Sequence, residues 1–173
     1  LEELGCYAQD WDNVRVADDF LPHHIKNVSF YGYNYLGVFE KSLEVSKGFL
    51  KHSGIFNATL KDTTVGDNSL IEKIGNYIND YEIGSESIIS NTSTIETTEG
   101  ASFGEGNIIS VLNEVGDGNV MLFSKLTSQT AALFTKYSDN EKFVSALRKL
   151  VKNEVDNNSL PCGRIGDRVK IVN

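Results

Sequence analysis

A mainly β protein, built as a parallel β-helix with an inserted α-helical hairpin, is the fold that this 173-residue sequence predicts. Three observations carry that prediction. Aliphatic residues recur every six positions through residues 65–112, the spacing changes abruptly to a helical one over 121–156, and the six-residue beat returns after Pro161. Composition agrees. Fifteen glycines, sixteen asparagines and only two prolines suit a chain that turns often, because Gly and Asn tolerate the backbone conformations of tight corners.

Residues 1–35 read as an N-terminal lead-in segment. A short helix is expected within Leu1–Trp11, and a strand over Ile25–Tyr35, where Val28, Phe30 and Tyr33 lie among polar residues. Residues 36–120 read as β-helix coils. Within them Val65-Gly66-Asp67-Asn68-Ser69-Leu70 is followed by Ile71, Tyr77, Ile83, Ile89 and Ile95 at six-residue steps, and Gly66 recurs as Gly84. One inward aliphatic per strand-plus-turn, with three strands per coil, gives an eighteen-residue coil. Val65 then stacks on Ile83, Ile71 on Ile89 and Tyr77 on Ile95. An antiparallel sheet would instead alternate with period two and turn every 8–12 residues. After Ile95 the beat slips by two, and Phe103-Gly104-Glu105-Gly106-Asn107-Ile108 restarts it.

Residues 121–160 read as the helical hairpin. Leu122, Phe123, Leu126, Leu133, Phe134 and Tyr137 fall on one helical face. Ser138 and Glu141 have the spacing of a capping box, ahead of a second stripe formed by Phe143, Leu147, Leu150, Val151 and Val155. Residues 161–173 resume the coils with Ile165-Gly166-Asp167-Arg168-Val169-Lys170. An uncapped coil exposes unpaired backbone groups, so the pattern predicts a truncated chain, the N-terminal part of something longer.

These repeats resemble the hexapeptide repeat of bacterial transferases, carried here by Val65-Gly66-Asp67-Asn68, Ile83-Gly84-Ser85-Glu86 and Ile165-Gly166-Asp167-Arg168. The resemblance implies a left-handed β-helix, a homotrimer, and acyl transfer from coenzyme A or acyl carrier protein to a sugar or nucleotide sugar. Some members of that superfamily form the β-helical part of sugar-nucleotide nucleotidyltransferases. Leu36-Gly37-Val38-Phe39-Glu40, His52-Ser53-Gly54-Ile55-Phe56-Asn57-Ala58-Thr59-Leu60, Gly75-Asn76-Tyr77-Ile78 and Val111-Leu112-Asn113-Glu114 resemble more closely an uncharacterised family of long bacterial hexapeptide-repeat proteins, a domain of unknown function. That second resemblance implies no activity.

Acyl transfer needs a base that titrates near neutrality, and histidine is the usual one. Of three histidines, His52 is the best placed, in a loop-like stretch ahead of the regular coils, with Glu72 or Asp62 as an orienting acid. His23 and His24 follow Pro22 and read as a surface turn. Asn57, Asn76, Asn91 and Asn113 read as a corner ladder or as a groove for sugar hydroxyls, since an amide both donates and accepts. Tyr77 and Glu114 complete the candidate substrate-binding set. The rival reading is a non-catalytic scaffold or ligand-binding domain.

Other classes lack their signatures. Sixteen basic against 24 acidic residues give a net charge of -8, which disfavours nucleic acid and anionic membranes as partners. The charge is uneven: -11 over residues 1–135 and +3 over 136–173. No apolar run approaches the roughly 18 residues that span a bilayer. Phosphate-loop, GxSxG and HExxH motifs are missing, and Cys6 and Cys162 lack metal-ligand spacing, so no metal is expected. Two isolated thiols fit the cytoplasm.

Overall fold

A computed structural model describes residues 1–98, 104–111, 118–158 and 161–173. The chain divides into two compact units. Leu1–Thr98 with Pro161–Asn173 forms the first, and Glu99–Leu160 the second.

The first unit is a parallel sheet of eleven strands. Nine of its strands precede the second unit, and with the two of a small hairpin (β5 and β6) they are, in chain order, β1 (Tyr7–Ala8), β2 (Val14–Val16), β3 (Ile25–Tyr31), β4 (Asn34–Leu36), β5 (Ser42–Ser46), β6 (Phe49–His52), β7 (Gly54–Val65), β8 (Leu70–Glu72), β9 (Tyr77–Ile83), β10 (Ile88–Ser90) and β11 (Thr94–Glu96). The expected helix at the start is a single 3-10 turn, Glu2–Leu4, which Gly5 ends in a left-handed conformation before β1 begins.

Register sorts the inward residues into three stacks. Ile25, Ile55, Ile71 and Ile89 form one. Phe30, Leu60, Ile78 and Ile95 form the second, and Leu36, Val65 and Ile83 the third. Strand β7 supplies a residue to all three, because it bends at Asn57 (φ 52°) and Asp62 (φ 47°). Such left-handed positions recur in register: Asn57, Lys73 and Asn91 at one bend, Asp62 and Asp80 at another, Asn68 and Glu86 at a third. Asn and Asp accept this conformation more readily than other non-glycine residues, which accounts for Asn27, Asn57, Asn68 and Asn91.

Two expectations change here. Tyr77 does not stack on Ile95; it faces Thr94 and is 37% exposed, while Ile78 is fully buried against Ile95. The step from Ile71 to Ile78 is seven residues and the next, to Ile83, is five. Phe103 lies outside the described residues, and residues 104–109 do not restart the parallel coils either. In the second unit β12 (Ile108–Val111) pairs antiparallel with β13 (Gly118–Met121).

The second unit continues with α1 (Ser128–Lys136) and α2 (Glu141–Asn158). Thr127 caps α1 by accepting from the Thr130 amide, and Asn140 caps α2 by accepting from Phe143. The cap of α2 is therefore Asn140 rather than Ser138. Val120, Phe134 and Val151 form this unit's core, with Phe123, Leu126, Leu147 and Val155 packed on it. Leu150, assigned to the apolar stripe by its spacing, is 67% exposed. The chain then rejoins the first unit's sheet as β14 (Gly163–Ile165) beside β9, and β15 (Lys170–Val172) beside β10. No helix among the described residues is long and apolar enough to cross a membrane.

Candidate histidine site at the base of a hairpin

Strands β5 and β6 form an antiparallel hairpin inserted between Phe39 and Ser53. It straps the outer face of the sheet. In β8 the inward residue is Ile71, so alternation sends Leu70 and Glu72 outward; both are nevertheless buried. Lys51 of the hairpin pairs with Glu72, Lys170 of β15 donates to the Val45 carbonyl, and Lys41 pairs with Glu86 at 2.6 Å.

His52 ends this hairpin. Its ring lies on that of His24, with centroids 3.6 Å apart and planes 14° from parallel. The register makes this contact. Ile25 pairs with Ile55, so His24 lies beside Gly54. A Cβ on Gly54 would collide with the His24 carbonyl, and its φ of 149° also favours glycine. The close approach carries His52, two residues earlier, over the His24 ring. His52 Nδ1 lies 2.9 Å from the Ser53 carbonyl. A carbonyl only accepts, so in the neutral ring Nδ1 is the donor and Nε2 the acceptor.

Ser53 belongs to a column of fully buried serines. Ser69 Oγ donates to the Gly84 carbonyl at 2.8 Å and Ser87 Oγ to the Gly166 carbonyl at 2.9 Å. Ser53 Oγ has no hydrogen-bond partner among the described residues. A donor beside His52 is thus left uncommitted.

Electrostatics separate the two polar groups under the hairpin. Burial opposes ionisation of Glu72, but hydrogen bonds from Lys51 and Ser90 and the charges of Lys51 and Lys73 outweigh it, and its carboxyl lies below 4.5. Burial first, then the positive neighbours His52, His23 and Lys26, pushes His24 below 6.5. Both shifts make acid destabilising. Unfolded His24 binds a proton that the folded ring resists, so stability falls as pH drops below about 6.5. Glu72 contributes above its ordinary value, and its contribution is lost as pH falls through the lowered one. Urea midpoints measured between pH 2 and 8 are therefore expected to decline toward acid in two stages. His24→Gln should flatten the first stage; an unchanged slope between pH 7 and 5 would reject His24 as its source. Glu72→Gln should cost about 2 kcal/mol at pH 7, between an exposed and a buried ion pair.

The other candidate residues lie apart from this pair. Asn57 accepts from Asn27 at 3.2 Å, a corner ladder. Asn76 donates to Thr94 at 2.9 Å, and the Tyr77 hydroxyl donates to Glu96 at 2.9 Å. Glu72 is engaged by Lys51 and Ser90, and Asp62 accepts from the Tyr33 amide. The tautomer of His52 is set by a backbone carbonyl instead of either acid. Asn113 and Glu114 lie outside the described residues. His24, which follows Pro22 in what reads as a surface turn, is the residue that sequence reasoning missed. Aligning His24-Ile25 with Gly54-Ile55 would have placed it beside His52.

Among the described residues, no group of three or more His, Cys, Asp or Glu side chains is arranged to hold a metal ion. No solved structure matches the chain. An uncharacterized protein of Treponema pallidum (strain Nichols) is 29% identical over 167 residues, covering 90% of this chain. The chain spans 23% of that relative's length. The family described as a domain of unknown function (DUF4954) matches residues 1–173, and this chain belongs to it.

Proposed function

We propose that the first unit is a left-handed parallel β-helix of the hexapeptide kind, and that the protein is a transferase of the cytoplasm. On this reading it moves an acyl group from coenzyme A or acyl carrier protein to a sugar or nucleotide sugar, as a homotrimer. The observation that carries the proposal is the 2.9 Å contact between His52 Nδ1 and the Ser53 carbonyl. In the neutral ring it makes Nδ1 the donor and Nε2 the acceptor, the arrangement a general base uses. His52 Nε2 takes the proton of the acceptor hydroxyl while its oxygen attacks the thioester carbonyl. As the tetrahedral intermediate collapses, the carbon–sulfur bond breaks and the same nitrogen returns the proton to the departing thiolate.

The sheet supports the fold. Leu60 with Ile78, Val65 with Ile83 and Ile71 with Ile89 are register partners eighteen residues apart, and the left-handed bends recur at matching positions. General-base catalysis contributes about 10²- to 10⁴-fold. His52→Ala should therefore reduce thiol release from acetyl-coenzyme A, in the presence of nucleotide sugars, by about that factor. Turnover equal to the wild type would remove His52 from the chemistry.

A non-catalytic scaffold is the second reading. It is favoured by the asparagine set, because Asn57 and Asn76 hydrogen-bond to their neighbours along the sheet. Crystals soaked with coenzyme A and nucleotide sugars separate the two: ordered density beside His52 supports the transferase, and none supports the scaffold.

A further inference from the structure

The charged neighbours that act on His24 are of one sign. His23, His24 and Lys26 occupy one short segment, and the hairpin brings His52 onto it. The positive neighbours His52, His23 and Lys26 each disfavour the charged form of His24. Acidic compensation is remote or already engaged. Lys26 is in register with Phe56, and Phe56 with Glu72, so Glu72 lies two strand spacings away, about 9.6 Å. Glu72 is also bound by Lys51 and Ser90, with Lys73 next to it. Among the described residues, neither the His24 ring nor Lys26 Nζ makes a hydrogen bond or ion pair, and Lys26 is exposed.

Lys26 carries the fixed charge and the three histidines gain charge only by taking up protons, which their positive neighbours oppose; a bound anion relieves that opposition. Imidazole and ammonium N–H groups are strong donors to phosphate oxygens. We infer that His23, His24, Lys26 and His52 form a binding site for a phosphate-type oxyanion. The site adjoins the proposed base, and naming the bearer of the phosphate, a nucleotide sugar or coenzyme A, rests on the transferase reading. The anion site itself needs no turnover.

Histidine ring-proton NMR on the full chain tests it, with inorganic phosphate compared against chloride at equal ionic strength. The titration midpoints of His24 and His52 should rise as phosphate saturates the site. Lys26→Glu should weaken phosphate binding about tenfold; its exposed side chain makes the substitution compatible with folding. Uridine diphosphate and coenzyme A serve as the other probes. Tighter binding of either than of inorganic phosphate supports the site and names its bearer, and equal binding supports recognition of the phosphate group alone. Identical midpoints in phosphate and chloride, or an unaffected Lys26→Glu, overturn the inference. Binding without turnover would remove only the transferase reading, and turnover without phosphate-dependent midpoints would remove only the anion site.

Discussion

Gly84→Ala should destabilise the parallel-sheet unit by about 3 kcal/mol, at the upper end of the range for overpacking, while Gly166→Ala should leave it unchanged. The two glycines occupy equivalent positions in successive layers, each directly after an inward isoleucine. A Cβ on Gly84 would come within 2.5 Å of the Asp167 amide nitrogen and the Gly166 carbonyl carbon. Those are backbone atoms, and the Gly84 amide already donates to the Ile165 carbonyl at 2.7 Å. Relief would mean lengthening that bond or displacing Asp167, whose carboxylate accepts from the Ser85 amide at 2.8 Å. Among the described residues, nothing lies within 4 Å of a Cβ on Gly166. Urea unfolding followed by the fluorescence of Trp11, the single tryptophan, reports on this unit because its ring lies 6.3 Å from that of Phe30 in the core. Equal shifts for the two variants would refute the close layer contact.

Ile78→Ala is expected to cost about 3 to 4 kcal/mol, the sum of lost transfer energy and a cavity between Leu60 and Ile95. Tyr77→Ala should cost less than about 1 kcal/mol, since it removes an exposed hydrogen bond to Glu96 and little packing. The pair discriminates between two registers of one strand. A shift of one residue exchanges the buried and exposed faces, so a larger loss for Tyr77→Ala would place the tyrosine inside and reverse the assignment. The same fluorescence measurement reads it.

The slip at Tyr77 shows how far spacing can be trusted. Counting sixes assumes every strand-plus-turn uses the same number of residues. Between Ile71 and Ile78 the chain passes a left-handed bend at Lys73 and buries Ile74, and one extra residue is consumed. The following segment, bent at Asp80, uses one fewer. The eighteen-residue offset therefore holds for Leu60 with Ile78, Val65 with Ile83 and Ile71 with Ile89, but it is seventeen for Ile78 with Ile95 and sixteen for Ile55 with Ile71. Gly104–Ile109 shows a different limit, because an Ile-Ile pair preceded by two glycines reads alike in a parallel layer and an antiparallel hairpin. Leu150 shows a third: helical spacing places it near Leu147 and Val151, but only the position of α1 and β13 decides which side of that arc is covered.

Position 52 was visible as a histidine in a loop-like stretch, and its neighbours Ser53 and Gly54 were visible too. Its partner was not. His24 and His52 are 28 residues apart, and nothing local to Pro22-His23-His24 marks that turn as different from a solvated one.

What the amino-acid order determines alone is the local material: an aliphatic period, small residues beside it at Gly66, Gly84 and Gly166, Asn and Asp where the backbone turns left-handed, and one abrupt change to helical spacing. These are preferences of single residues and short segments, readable without knowing what lies opposite. Tertiary structure decides what depends on alignment between distant strands. It chooses Ile78 over Tyr77 for the interior, closes the β5–β6 hairpin over Leu70 and Glu72, and brings His52 onto His24. Such contacts follow from register, and register is set by every layer at once, because a slip in one would bury polar groups and expose aliphatic ones throughout the stack.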